Sequence, residues 1–258
     1  MRIPLQRVSR ACVGLMPWVS RWTYDVRGMT VEADPHSDIG RALRRKGRFE
    51  DREIDIASTL LLAIHGEERC IVDVGANVGI HSLLWARAFP RATVHAIEPA
   101  PGTHALLRAN IERNGMTGRV NPLPYAICDR DGEVDLFVAQ DDAFSSMRDT
   151  HRKKVKQVVR VPARRLDGLD LGSVGLLKID VEGFEAQAIA GAKALVEKHR
   201  PVLFTEIYAG THSNPDPEGT VRAVVDMGYR AYVLVRKVGL VPFQRHDDHH
   251  QNYFFLPR

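Results

Sequence analysis

From about residue 57 onward, short apolar runs alternate with stretches of helical spacing, and this rhythm constrains the fold more than any other feature of the chain. IASTLLLAIHG reads as a helix ending at Gly66, CIVDVG as a strand breaking at Gly75, IHSLLWARAF as a helix, and ATVHAIEP as a strand stopped by Pro99. A helix over THALLRANIERNG and a strand over RVNPLPYAI follow, and CDRDGEVDLFVA reads as a hairpin turning at Asp131-Gly132. A polar excursion from Asp141 to Arg165 interrupts the alternation. It resumes as strand GLLKIDV, helix FEAQAIAGAKALVEK, strand PVLFTEIY, helix EGTVRAVVDMG and the strands RAYVLV and NYFFLP. Strands alternating with helices of this length predict an α/β fold, a doubly wound, mostly parallel sheet covered on both faces. No helix separates the last two strands, so the final one is expected to run antiparallel. With 258 residues and 44% hydrophobic content, one core suffices: a single domain over 57–258 and a helical N-terminal extension over 1–56.

The formal charge of +4 is small for this length, and acids are mixed with bases, which argues only weakly for a nucleic-acid partner. Cys12, Cys70 and Cys128 are odd in number and widely spaced, which fits a reducing, cytoplasmic setting better than a disulfide framework. The opening MRIPLQRVSRACVGLMPWVSRW is broken by Pro17 and lacks a clear small-residue cleavage site, so it reads as a helical or membrane-grazing arm rather than a signal peptide. No run approaches the ~20 apolar residues of a spanning helix.

IVDVGANVGIHS places a glycine turn between the first strand of the alternation and its helix, where open α/β sheets bind ligands. Gly75 and Gly79 are expected to let backbone approach a ligand closely. Glu98 follows at the end of the second strand, where a carboxylate accepts ribose hydroxyls, so an adenosine-type cofactor is indicated. Dinucleotide binders seat a pyrophosphate on G-x-G-x-x-G, but here the turn is D-x-G-x-x-x-G with Asp73 before it. An acid there repels a pyrophosphate and suits the cationic S-adenosylmethionine.

VDVGANVG resembles the first motif of class I S-adenosylmethionine-dependent methyltransferases, and its Gly-Ala-Asn form resembles the FkbM family among them. The resemblance extends through IEP at 97–99, YAI at 125–127, DGEV at 131–134, RLD at 165–167, LKIDVEGFE at 177–185 and the final NYFF. It implies a Rossmann-like sheet of seven strands in the order 3-2-1-4-5-7-6 with the last strand reversed, and transfer of a methyl group to a hydroxyl oxygen of a sugar, glycan precursor or secondary metabolite. It also implies that Asp73, Gly75, Asn77 and Gly79 hold the methionine part, Glu98 the ribose and Ala126 the adenine edge. Residues 1 to about 50 lie outside it. Rival readings are an RNA methyltransferase, a cofactor-binding scaffold without chemistry, and an oxidoreductase.

LLKIDVEGFE carries Lys178, Asp180 and Glu182 at alternate positions of a segment that otherwise reads as a buried strand, so all three are expected on one face. Buried charges need partners or a task. A hydroxyl acceptor must lose its proton, and Asp180 with Glu182 suits base and orienter, or the holding of a divalent metal that acidifies the hydroxyl. Lys178, further back, is expected to neutralise them in part. The competing structural reading has Asp180 anchoring a loop, Glu182 and Gly183 making a turn, and Glu185 in the first turn of the next helix. Glu206 ends the next strand with the same geometry.

Other features carry weaker signals. HDDHH at 246–250 reads as a solvated loop before a metal cluster, and no metal ligands are assigned. His81 either faces the acceptor or packs its helix. NPLPY at 121–125 sits on the wrong strand for an amino-methyltransferase motif, and Tyr125 is better placed near the adenine. Ser145 and Ser146 are candidates to close over the cofactor. RALRRKGRFEDR and HRKKVKQVVR lack interleaved aromatics and read as solvated faces or contacts for an acidic substrate before RNA sites.

Overall fold

A computed structural model describes residues 21–139, 145–147, 154–208, 214–247 and 249–258. In chain order the elements are β1 (Trp22–Val26), β2 (Met29–Ala33), α1 (Asp38–Lys46), α2 (Asp51–His65), β3 (Cys70–Val74), α3 (Ile80–Ala88), β4 (Val94–Ile97) and α4 (Pro101–Arg113). They continue with β5 (Val120–Leu123), β6 (Ala126–Ile127), β7 (Gly132–Ala139), β8 (Val155–Arg164), β9 (Val174–Ile179), α5 (Glu185–Ala190) and α6 (Lys193–His199). The last are β10 (Val202–Glu206), α7 (Pro217–Asp226), β11 (Tyr229–Val235), β12 (Gly239–Pro242) and β13 (Asn252–Pro257).

The main sheet has the order β12-β11-β13-β10-β9-β3-β4-β5. Strands β5, β4, β3, β9 and β10 are parallel, and β13 runs antiparallel between β10 and β11. Counting β3 as the first strand gives 3-2-1-4-5-7-6, as the resemblance implies, with an eighth strand, β12, added at the edge by an antiparallel hairpin with β11. That strand is four residues long and only half-buried, too weak a pattern to stand out in the sequence.

Alternation along each strand divides the core. Ile71, Leu176, Val202 and Phe204 face one layer, with α2, α3 and α4, whereas Val72, Val74, Leu177, Ile179 and Leu203 face the other, with α5, α6 and α7. On the first face Phe204 stacks on Phe254 across the β10–β13 register at 4.7 Å, a contact adding about 0.5–1.5 kcal/mol to the burial of the two rings.

Three departures from the sequence reading have local causes. The N-terminal extension, expected to be helical, carries a β-hairpin, β1–β2, before α1, and α2 begins six residues before the expected boundary at 57. Asn110 and Asn114, one turn apart on α4, close the open edge of β2. Asn114 Oδ1 accepts from Thr30 N and its amide donates to Thr30 O, and Asn110 does the same for Glu32. Each satisfies an edge that would otherwise stay unpaired. Second, residues 155–164 of the polar excursion form a strand: β8 pairs antiparallel with β7 and parallel with β6 in a small separate sheet of order β6-β8-β7. Only Val161 and Ala163 of β8 are buried, so its alternation is hidden among exposed polar residues. Third, Asp131-Gly132 leads into β7 without pairing β6 to it, because β8 lies between them.

Candidate active site

The carboxyl ends of β3, β4, β9 and β10 open into one cavity. Its first wall is the turn from β3 to α3. Gly75 N and Ala76 N both donate to Ile97 O of β4, at 2.9 and 3.0 Å, which bends the chain sharply over the strand ends. Gly75 sits at φ 76°, and a Cβ there would lie 1.8 Å from Asp180 O. Gly79, at φ 91°, would place its Cβ 2.6 Å from Leu107 Cδ1 of α4. Both glycines therefore permit close packing of protein on protein; Gly75 also lines the cavity, as expected of backbone that approaches a ligand, whereas Gly79 is not among its lining residues.

Glu98 fixes this turn. Its Oε2 accepts from Asn77 N at 3.0 Å and its Oε1 from Ala100 N at 2.9 Å, while Asn77, itself at φ 49°, turns its Oδ1 onto Val78 N. Glu98 also lines the cavity. Tyr125, Ala126 and Ile127 continue this side.

Below the turn lies a buried charge network. Asp73 and Lys178 face each other in the β3–β9 register, and Lys178 Nζ lies 3.2 Å from Asp73 Oδ1, 3.4 Å from Asp180 Oδ2 and 3.2 Å from Gly75 O. Asp73 also accepts from Ser82 Oγ at 2.6 Å. Asp73 is 0% and Lys178 2% exposed. Burial alone would neutralise both. For Asp73 the Lys178 ammonium, His81 and the Ser82 hydroxyl outweigh that effect and hold the carboxyl below its usual range, and for Lys178 the charges of Asp73, Asp180 and Glu50 hold the ammonium above its own. Asp73 thus lies beneath the cavity, not on it, and the expected direct contact with a cofactor is replaced by the support of Lys178.

Lys178 and Asp180 share a face, as alternation requires, and Phe204 and Glu206 of β10 share it with them. Glu182 does not continue that row: β9 ends at Ile179, and Glu182 sits at φ 49° in the following turn, where its carbonyl accepts from Ser146 Oγ at 2.7 Å. It still lines the cavity, with Ser145, Ser146 and Met147. Burial raises the Asp180 carboxyl and the Glu50 charge adds to this, against the lowering by Lys178. Burial, Asp180 and Glu50 raise Glu206 well above its usual value, and Tyr208 donates to it at 2.6 Å. Glu185 is buried beside this turn, its Oε1 accepting from Gly183 N at 2.9 Å, and burial pushes it up to about 7.

The last wall comes from a region without a recognisable motif. Asp38 and Ile39 of α1, with Phe49 and Glu50 before α2, also line the cavity. Glu50 holds the N-cap position of α2 at φ 48° and makes no capping bond with its side chain, which lies instead 3.2 Å from His81 Nε2. Burial opposes its charge, but His81 and Lys178 hold its carboxyl below the usual range. His81 is packed between Phe49, Trp85 and Phe204, so packing and cavity lining coincide in it. Sequence reasoning missed Asp38, Ile39, Phe49, Glu50 and Tyr208. The one local signal was an acid-rich helix start at Glu50-Asp51, which speaks to capping and says nothing of a site.

The remaining candidates lie elsewhere. His246 Nδ1 contacts Tyr253 OH at 2.7 Å and His250 Nδ1 contacts Asp247 at 2.8 Å, away from the cavity; Asp248 is outside the described residues. Arg44, Arg45 and Lys46 are exposed in the last turn of α1, favourably placed on its dipole, and Lys154, Lys156 and Arg160 are exposed around β8. Residues 151–153 of that tract are not among those described.

Comparison with known proteins converges on the same region. The family described as Methyltransferase FkbM domain matches residues 73–231, from the buried aspartate of β3 into β11. The chain belongs to this family. Among its relatives, the 31-O-demethyl-FK506 methyltransferase FkbM of Streptomyces tacrolimicus is 31% identical over 48% of this chain and 59% of its own length. The 2-O-methyltransferase NoeI of Sinorhizobium fredii is 29% identical over 53% of this chain and 62% of its own, and Methyltransferase 1 of Beauveria bassiana 28% over 58% and 69%. The chain thus spans about three fifths to two thirds of the length of these relatives. The crystal structure of Methyltransferase FkbM from Methylobacillus flagellatus shares the fold, with a TM-score of 0.50 and 18% identity over 73% of this chain and 43% of that one. No helix of the described FkbM-family chain is long and apolar enough to cross a membrane.

Proposed function

We propose that this chain is an S-adenosylmethionine-dependent methyltransferase that methylates a hydroxyl oxygen of a small-molecule or glycan-type acceptor. The observation that carries the reading is the position of Glu98: a buried carboxylate at the end of β4 that caps the glycine turn through two backbone N–H groups and lines the cavity at the strand end where a ribose diol would be held. The absence of a pyrophosphate-type glycine pattern and the acids along the other side suit a cationic nucleoside over a dinucleotide. Two relatives are named for methylation at oxygen.

Asn77, Glu98, Tyr125 and Ala126 would hold the nucleoside, and when bound it supplies an electrophilic methyl carbon. The chain's own work is alignment and proton removal. Asp180, raised by burial and held by Lys178, is placed to accept the proton of the acceptor hydroxyl. Asp73 and Ser82 keep Lys178 in place, and Lys178 also ties Gly75 O, so the turn and the base are fixed by one ammonium. Glu182 orients its side of the cavity from the turn that Ser146 secures. Among the described residues no three histidines, cysteines or acids converge as a metal-ligand set.

Replacing Asp180 by Asn tests the assignment. Turnover should fall by roughly 10²- to 10⁴-fold while calorimetric affinity for S-adenosylhomocysteine stays within about threefold. Full activity in the variant removes Asp180 from the mechanism.

A further inference from the structure

Two carboxyl groups stand side by side at one end of the cavity. Strands β9 and β10 run parallel with Ile179 opposite Thr205, so Asp180 and Glu206, one residue further on each, are neighbours on the same face. Both line the cavity. Adjacent strands lie about 4.8 Å apart, close enough for each carboxylate to oppose the ionisation of the other. Such a pair sheds its protons in two steps, and the surroundings of each member decide which goes first.

Those surroundings differ. Asp180 Oδ2 lies 3.4 Å from the Lys178 ammonium, and the charges of Lys178 and His81 both favour its ionised form. Glu206 Oε1 accepts instead from the neutral Tyr208 hydroxyl at 2.6 Å. Asp180 and Glu50 oppose the ionisation of Glu206, Glu50 reaching it from the wall at 38–50, which the family match at 73–231 does not share. Glu182, in the turn after β9, also faces it. On β13 its partner in register is Asn252, whose amide donates to Glu53 of α2 at 3.4 Å. Asp180 therefore ionises first and Glu206 keeps its proton. With Tyr208 donating to Oε1, Oε2 is the oxygen left to carry that proton, and a protonated carboxyl is a donor as well as an acceptor. Carboxylic acids kept neutral by their surroundings serve as donors of this kind in other active sites.

We propose that Glu206 is an acceptor-binding residue that donates a hydrogen bond to a second oxygen of the acceptor, next to the hydroxyl whose proton Asp180 takes, so that the site selects a vicinal diol or hydroxy-carbonyl over a lone hydroxyl. The proposal rests on the methyltransferase reading and deepens it. A donor on the attacking oxygen itself would tie up the lone pair that forms the new bond, so its productive place is the neighbouring oxygen. The acceptor oxygen bonds the methyl carbon as the carbon–sulfur bond breaks, its proton passes to Asp180, and Glu206 keeps its own proton throughout.

The test uses the full chain with S-adenosylmethionine and paired probes: cis-cyclohexane-1,2-diol and cyclohexanol, catechol and phenol, tetrahydropyran-3,4-diol and tetrahydropyran-4-ol. Release of S-adenosylhomocysteine should favour the diol of a pair by about tenfold or more in kcat/KM. For the converted diol, Glu206→Leu should raise KM about tenfold, and Glu206→Gln, which retains an N–H donor, should recover most of that loss. Wild-type KM should rise with pH as Glu206 loses its proton, and this rise should be missing from Glu206→Gln. The infrared carbonyl band of a protonated carboxyl should stand in the difference spectrum of wild type minus Glu206→Gln at pH 7, where Glu185 is common to both and cancels. If thermal melting shows that Glu206→Leu does not fold, the paired probes, the pH profile and the band still decide. Equal conversion of diols and lone hydroxyls, no conversion of any probe, a Gln variant as impaired as a folded Leu variant, a KM independent of pH, or no band overturns the proposal. Failure of the underlying reading looks different: the wild-type chain then shows no S-adenosylhomocysteine affinity, while the infrared band remains.

Discussion

The two sides of the cavity are built by different means. The turn from β3 to α3 is shaped by backbone: a glycine whose Cβ would collide with Asp180 O, an asparagine at positive φ, and a carboxylate accepting two backbone N–H groups. The wall from residues 38–50 is shaped by side chains delivered from two helix starts, Ser37 and Glu50, with a left-handed residue at its centre. Backbone constraints restrict the residue type at each position and leave a pattern. Side-chain delivery depends on tertiary packing, here of α2 over β9 and β10, and leaves none.

Substitutions can break or sharpen this contrast. The largest effect is expected at Gly75→Ala, where strain at φ 76° adds to a contact with rigid backbone, destabilising the fold by about 3–5 kcal/mol in chemical denaturation. Gly79→Ala meets only the end of the Leu107 side chain and should cost roughly 1–2 kcal/mol; equal losses at the two would refute the backbone account of the turn.

Next comes the floor between the two walls. Glu185 titrates at about 7 in the folded chain against a usual 4.5, because it is buried. Its folded value is the raised one, so its stabilising contribution is complete below about 4.5 and is lost as pH rises through about 7. Glu185→Gln should therefore melt above wild type at pH 8, by roughly 3 kcal/mol at most, with the gap closing towards pH 5. A gap independent of pH would show that Glu185 does not titrate as described.

The smallest effect is expected in the unshared wall. Ser37 Oγ accepts from Gly40 N at 3.0 Å, and Ser37→Ala should lower stability by about 1 kcal/mol. A loss several times larger would mean that this wall, like the turn, is held by backbone constraint.

The same distinction explains what could be read from the chain. The parallel strands, the reversed last strand and the placement of Gly75, Asn77, Glu98, Ala126, Asp180 and Glu182 around one cavity follow local periodicity and a motif. Asp73 was misplaced, because whether an acid at the end of β3 faces a ligand or a lysine is decided by its register with β9, a partner about a hundred residues away. Glu182 was read into the strand because the period of two runs past Ile179, and only the positive φ of Glu182 marks the turn. Strands β8 and β12 were lost to their exposure, and the β1–β2 hairpin to an edge completed by asparagines on a distant helix.

The most direct measurement is a calorimetric titration of S-adenosylhomocysteine into the wild-type chain and the Glu98→Gln variant. Saturation at one site in the wild type, weakened about 10- to 100-fold in the variant, is the expected result, since a buried hydrogen-bonded carboxylate contributes on the order of 1.5–3 kcal/mol. No saturable binding by the wild type, or equal affinity in the two proteins, would contradict a nucleoside held at the ends of β3 and β4.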